Sequence, residues 1–359
     1  MLSGSDTALV FSASDRSSRV LFITPEELKS EWLEQKSNKV FIIDRNVFNL
    51  YEDLFKSLLD EMGEENSSPI LLLQTKESKK DFTTLRMIID FLTLKKITRE
   101  DNIVAIGGGI TLDITAFAAS IYKRGCNLTL VPTSFLAMID AAIGGKTGIN
   151  YLKFKNLLGS FYPASFILIV PEFLHTLPEV EIKNGWAECI KIALLHSEKL
   201  YDLTLKDNSE ITADIIREAI LSKYHFCRQD LTDGGERQKL NLGHTFAHLI
   251  ESASDYEIPH GLAVAIGIRA AARLSLKRGM ITVKIEERII KPLELMEFPG
   301  KLDIKYHRRL QKSGKALLEM DKKRGKTGQI ILFTGFQKTT ISTCNDPAEL
   351  IEVLITLNQ

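Results

Sequence analysis

Apolar positions along this chain fall into two kinds of segment. Short apolar runs occur at 40–43, 70–73, 103–106, 128–131 and 166–170, and between them lie stretches of helical period such as 49–62 and 82–94. Buried strands that alternate with crossover helices predict a mostly parallel sheet covered on both faces. Residues 1–174 are therefore expected to form a Rossmann-like α/β nucleotide-binding domain, entered through a polar, Ser-rich lead-in over residues 1–18. Beyond Leu177-Pro178 the period changes, and helical segments dominate at 181–195, 209–228, 245–253, 263–277, 284–295 and 307–320. Only 329–333 and 339–342 read as strands there, so residues 175–359 are expected to form a mainly α-helical second domain.

Composition narrows the partners. The 359 residues carry 46 basic and 46 acidic side chains, which removes the electrostatic footprint of a nucleic-acid binder. No apolar run approaches the roughly 20 residues needed to span a bilayer, and the first residues lack a basic segment followed by an apolar one. No membrane partner and no secretion are expected. Cys126, Cys189, Cys227 and Cys344 are scattered without a C-x-x-C pair, a pattern that fits reduced thiols in a cytoplasm.

Three groups of residues can carry chemistry. Gly107-Gly108-Gly109 follows an apolar strand and opens a helix through Asp113, where backbone N–H groups and the helix N-terminus can meet a phosphate. The spacing departs from G-x-G-x-x-G, and by itself the run is equally a tight turn. Second, His244, His248 and His260 fall close together, the first two one helical turn apart and hence on one face. Imidazoles so gathered can bind a borderline cation such as Zn²⁺, with a further oxygen or sulfur donor. Glu188 is a candidate donor, because Trp186-Ala187-Glu188-Cys189-Ile190-Lys191 is an apolar helix in which an unpaired carboxylate is costly. Third, Lys123-Arg124-Gly125, Gly144-Gly145-Lys146-Thr147 and Lys155-Asn156 set cations and amides beside flexible turns, with Lys223 and Arg237 in the helical half. Such groups suit a small polyanion bearing phosphate or carboxylate.

These segments, in this order, resemble the dehydroquinate synthase family of sugar-phosphate cyclases over residues 43–323. The specific stretches are 139–150 (Ile139-Asp140 through Gly144-Gly145-Lys146 to Asn150) with Lys155-Asn156, then 187–191, 240–248 and 260–267. The resemblance implies an enzyme that uses NAD and one divalent metal, zinc or cobalt. The reaction implied turns 3-deoxy-D-arabino-heptulosonate 7-phosphate into 3-dehydroquinate and phosphate, in the shikimate route to aromatic amino acids. Transient oxidation of the substrate, loss of phosphate, re-reduction and an intramolecular aldol closure leave no net redox change.

By similarity Glu188, His244 and His260 are the metal ligands, and His248 is a catalytic residue beside them. Catalytic roles are likewise implied for Lys146, Arg124, Asn156, Lys191, Arg237 and Asn241, with substrate contacts from Asp140, Lys155, Lys223 and Lys322. The cofactor contacts implied are Asp44, Glu77, Lys80, Gly108, Gly109, Asp113, Thr133, Ser134, Lys146, Lys155, Phe173 and Thr176. A homodimer and a sugar-phosphate substrate complete the implied partners.

The sequence also departs from the family pattern. Leu112 and Ala116 replace two glycines after the Gly run, and Thr75 to Lys80 retains only part of an Asp-Gly-Glu-x-x-Lys motif. Ser134 stands for a threonine, Leu262 for a glutamate beside His260, and Asp233 for another glutamate. The nearest alternative reading is a cyclase of the 2-epi-5-epi-valiolone or 2-deoxy-scyllo-inosose synthase type, to which 184–186 and 191–194 bear some likeness. A metal-dependent polyol dehydrogenase, and a homologue that has lost activity, are the more distant ones.

Overall fold

The five apolar runs become neighbouring strands of one sheet. The computed structural model describes residues 8–13, 16–28, 38–61, 68–152, 154–206, 210–312, 329–344 and 346–357; the expected substrate contact Lys322 lies outside them. The chain folds as two compact units, Met1–Pro178 with Cys227–Thr232, and Glu179–Phe226 with Asp233–Gln359.

The strands of the first unit are Ala8–Ala13 (β1), Arg16–Phe22 (β2), Lys39–Asp44 (β3), Ile70–Leu73 (β4), Asn102–Gly107 (β5), Asn127–Pro132 (β6), Lys146–Tyr151 (β7), Phe154–Phe161 (β8) and Phe166–Ile169 (β9). Seven of them form a sheet in the order β1-β2-β9-β6-β5-β3-β4. Pairing is parallel except between β1 and β2. Every residue of β3 and β5 is buried, which explains why these runs are continuously apolar and do not alternate. The polar lead-in thus supplies an antiparallel edge hairpin that its serines concealed.

Helices connect these strands: Arg45–Leu50 (α1), Glu52–Glu61 (α2), Phe82–Leu94 (α3) and Gly109–Ile121 (α4). The single helix expected at 49–62 is two, because Asp44 caps α1 and Tyr51 leaves helical geometry at φ −123°. Strand order fixes where a ligand can sit. From β3 the chain passes to β4 on one side, while β5, β6 and β9 follow on the other. In open parallel sheets ligands bind outside the carboxyl ends of the strands at such a reversal. Strands β7 and β8 stand apart as an antiparallel hairpin.

The second unit is built from Glu179–Leu195 (α5), Glu198–Thr204 (α6), Ala213–Cys227 (α7), His244–Ala253 (α8), His260–Lys277 (α9), Val283–Leu295 (α10) and Pro347–Thr356 (α11), with Gln329–Gly335 (β10) paired to Lys338–Thr343 (β11). Helix α9 is its axis, buried along most of its length and packed against α5, α8, α10, α11 and β10. Inside this packing the Ser275 hydroxyl donates to Ala271 O at 2.7 Å and accepts from Phe333 N at 2.9 Å, fastening β10 to α9. Among the described residues no helix is long and apolar enough to cross a membrane. All four cysteines are buried and unbridged, and burial pushes the Cys189 thiol up out of the reactive range.

Candidate active site

Asp44 ends β3 and Gly107 ends β5, so both lie at the carboxyl side of the reversal in the sheet. Asp44 Oδ1 accepts from Asn46 N at 2.8 Å and Val47 N at 3.4 Å, and its Oδ2 accepts from the Thr75 hydroxyl. Gly107 adopts φ +155°, and a Cβ there would stand 2.8 Å from the Thr111 side chain and 3.1 Å from Asp44 Cβ. Only glycine allows strand and helix to meet so closely. Gly108 caps α4 and has no side chain to compete for the N–H groups of the first turn, which with the helix dipole form an anion site. Thr133 N donates to Gly107 O at 3.0 Å, which brings Thr133 and Ser134 to the same turn. Leu112 and Ala116 are buried, so their bulk enters the core. Phe173 and Thr176 are held together by Tyr51, whose ring meets the Phe173 ring edge-on at 4.8 Å and whose hydroxyl lies 2.9 Å from Thr176 Oγ1.

A second group gathers on the β7–β8 hairpin. Lys80 Nζ donates to Asp113 Oδ2 and to Asn156 Oδ1, each at 2.6 Å. Asn150 closes the circuit: its N donates to Lys80 O at 2.7 Å, its Nδ2 to Glu77 Oε1 at 2.7 Å, and its Oδ1 accepts from Asn156 N at 2.8 Å. Three residues expected to touch cofactor or substrate, Glu77, Lys80 and Asn156, are thereby joined through one that had been given no role, and Asp113 is tied in through Lys80. The only signal for Asn150 was its place at the end of the 139–150 stretch.

The remaining expected residues of this unit are placed by their elements. Lys146 pairs with Phe161 at one end of the hairpin, while Lys155 lies beside the turn at the other, about 13 Å away along extended chain. Arg124 is exposed in a left-handed turn (φ 63°) beyond the far end of α4, about 20 Å from Gly108 by helical rise. Asp140 lies in a π-helical turn, Ala137–Ala141, a geometry found disproportionately at functional sites.

In the second unit Glu188, His244 and His260 converge. Glu188 Oε1 lies 3.5 Å from His244 Nε2 and 3.4 Å from His260 Nε2, and the three donor atoms are all within 4.8 Å of one another. Two glycines allow the approach. A Cβ on Gly261 would stand 2.4 Å from Asn184 Cα, and Gly261 N donates to Asn184 Oδ1 at 2.9 Å, which seats the start of α9 one turn before Glu188 on α5. Gly243, at φ +78°, places its own would-be Cβ 2.9 Å from Ile268 N and so brings α8 and His244 against α9.

The triad fits a divalent cation on its donor geometry. Donors about 2.1 Å from a tetrahedral ion lie about 3.4 Å apart. Each imidazole also has its other nitrogen committed. His244 Nδ1 lies 3.2 Å from Leu242 O, an acceptor only, and His260 Nδ1 lies 3.3 Å from Glu251 Oε1. Both rings must therefore carry hydrogen on Nδ1 and turn Nε2 toward Glu188, the arrangement usual for metal-bound histidine. Glu188 is fully buried and its oxygens make no hydrogen bond of good geometry, although Oε2 forms an ion pair with Lys191 Nζ. Burial opposes charge on Glu188, but Lys191 and the two imidazoles outweigh it and hold the carboxyl well below the usual range. Burial and the neighbouring Lys191 push His244 down to about 3. Burial also acts against His260, but the carboxylates of Glu188 and Glu251 prevail and push it up to about 9. Lys191 and His260 thus bring positive charge to Glu188, while His244 faces it as a neutral imidazole.

His248 remains outside this triad, its ring edge-on to His244 at 5.9 Å. Lys191, Lys223 and Arg237 are buried cations, which fold only with polar or anionic partners. Asn241 is oriented by donation from Nδ2 to Gln238 O at 3.0 Å.

Comparison with known proteins gives these features a common context. Residues 70–184 match the family model of the 3-dehydroquinate synthase N-terminal domain, and residues 185–324 that of the C-terminal domain. The chain is 45% identical over 201 residues to 3-dehydroquinate synthase of Pyrococcus furiosus, a match that spans 55% of the chain but 60% of that protein. It is 36% identical over 290 residues to that of Helicobacter pylori, covering 79% of the chain and 83% of the relative. Among solved structures it is similar to 2-epi-5-epi-valiolone synthase of Streptomyces hygroscopicus with NAD⁺ and Zn²⁺ bound, at TM-score 0.82 and 26% identity over 97% of the chain and 99% of the other. The fold is also that of NADH-dependent butanol dehydrogenase A of Thermotoga maritima, at TM-score 0.63 and 14% identity over 98% of each chain. With both family models in tandem over most of its length, this chain belongs to the 3-dehydroquinate synthase family.

Proposed function

We propose that the protein is a metal- and NAD-dependent carbon–oxygen lyase that converts 3-deoxy-D-arabino-heptulosonate 7-phosphate into 3-dehydroquinate and phosphate. The observation that carries this reading is the Glu188–His244–His260 convergence in a chain matching the family at both domains. When bound, the cation would lower the pKa of a substrate hydroxyl and polarise the carbonyl formed from it, and NAD would hold the hydride between its removal and return.

The chain's own residues would bind, neutralise and move protons. Gly108 and Gly109 would offer backbone N–H groups to the cofactor pyrophosphate, with Asp44, Glu77, Lys80, Asp113, Thr133, Ser134, Phe173 and Thr176 around it, and Glu188, His244 and His260 would hold zinc or cobalt. Substrate phosphate and carboxylate need fixed positive charge, which Arg124, Lys146, Lys155, Lys191, Lys223, Arg237 and Lys322 could supply; Asp140, Asn156 and Asn241 would orient hydroxyls. His248, beside the triad yet outside it, suits a proton relay to the departing phosphate. The resemblance supports a homodimer, and cysteines without bridges fit a cytoplasm.

Phosphate release from the heptulosonate phosphate, measured with and without a chelator in wild type and His244→Ala, tests the proposal. Chelation and the substitution should each abolish turnover without accumulation of reduced cofactor. Undiminished release in either case contradicts the assignment. The near full-length likeness to a valiolone synthase supports one second reading. Supplying the sugar phosphates of the other cyclases separates the two, because valiolone formation without dehydroquinate would replace the first reading by the second.

A further inference from the structure

Glu251 is an ionisable side chain in a place where one is costly. It lies on α8 among the buried residues Phe246, Ala247, Leu249, Ile250 and Ala253, and is itself only 4% exposed. A carboxylate withdrawn from water in apolar surroundings destabilises the fold unless it is matched by a specific partner. His260 is such a partner: its Nδ1 lies 3.3 Å from Glu251 Oε1 while its Nε2 lies 3.4 Å from Glu188. On its own helix His260 is followed by Gly261 and Leu262, which offer no side-chain acceptor.

The two histidines of the triad are therefore supported differently. His244 Nδ1 meets a neutral carbonyl, that of Leu242, whereas His260 Nδ1 meets a charged carboxylate. A carboxylate behind an imidazole fixes the tautomer and ring orientation, and it also raises the electron density that the far nitrogen can give to a metal. We propose that Glu251 is a positioning residue of the metal centre, holding His260 with Nε2 toward Glu188 and strengthening it as a donor. The proposal rests on the reading of Glu188, His244 and His260 as metal ligands.

The test uses the full chain, stripped of metal and titrated with zinc against a chromophoric chelator, and with cobalt followed by its visible absorption. Glu251→Ala should weaken zinc binding by about 10- to 100-fold at unchanged stoichiometry. Its cobalt spectrum should shift, since His260 would be free to rotate. Glu251→Gln, which keeps an acceptor and the size but not the charge, should bind zinc with intermediate affinity and bring the cobalt spectrum back toward wild type. A purely structural Glu251 would leave the affinity of a folded variant at the wild-type value. Wild-type affinity in both variants overturns the proposal; if Glu251→Ala does not fold, Glu251→Gln decides alone. A wild type that binds neither ion would overturn the metal centre itself, whereas tight wild-type binding with unaffected variants overturns only the role of Glu251.

Discussion

Glu188 concentrates the electrostatics of the second unit in one side chain. Fully buried, it faces Lys191 from its own helix and two imidazoles from two others. Removing one partner of a buried charge set leaves the rest uncompensated, at a cost of about 3–5 kcal/mol. Glu188→Gln in the metal-free protein should therefore lower the midpoint of urea unfolding, with Lys191 left charged and buried. An unchanged midpoint would mean that Lys191 finds another acceptor and that Glu188 does not hold the cluster together. At this scale the sequence was legible where chemistry forbids an ordinary explanation. A glutamate in an apolar helix and histidines a turn apart called for partners before any were seen. Glu251 and Asn150 were not legible, because each is a common polar residue whose meaning comes from groups on other elements, His260 for one and Glu77, Lys80 and Asn156 for the other.

Elements meet at the candidate sites by losing side chains. Gly261 lets α9 start against Asn184 on α5, with no space for even one added carbon. Gly261→Ala would force these helices apart and draw His260 from Glu188. Overpacking of this kind costs about 1–3 kcal/mol, so the variant should show a lower unfolding midpoint and weaker zinc binding together. Gly234→Ala, where an added Cβ meets nothing within 4 Å, is the control and should change neither. If Gly261→Ala binds zinc as the wild type does, the helix approach is not what sets the triad. The helix Phe82–Leu94 was readable to its ends, whereas 49–62 divided into two at Tyr51. The hairpins β1–β2 and β7–β8 were not: serines masked the alternation of the first, and Lys146 to Phe161 is too polar and glycine-rich to show a buried face.

For the molecule as a whole, the order of apolar runs announced a parallel sheet followed by a helical half, and that order also fixed where the glycine turn would lie. Because β3 is flanked by β4 and β5, Asp44 and Gly107 to Gly109 are brought to one point from sequence positions far apart. What order alone could not give was the return of Cys227–Thr232 to the first unit, since that depends on contacts with no periodic signature. The same holds for the triad, whose three members come from the helices α5, α8 and α9. On the proposed function, those three side chains hold one divalent ion. Anomalous diffraction at the zinc edge, from crystals of the full chain grown with zinc, tests it directly. A single strong peak is expected among Glu188, His244 and His260, at about 2.0–2.2 Å from one carboxylate oxygen and both Nε2 atoms. A map with no peak there, or with zinc bound only elsewhere, would contradict it.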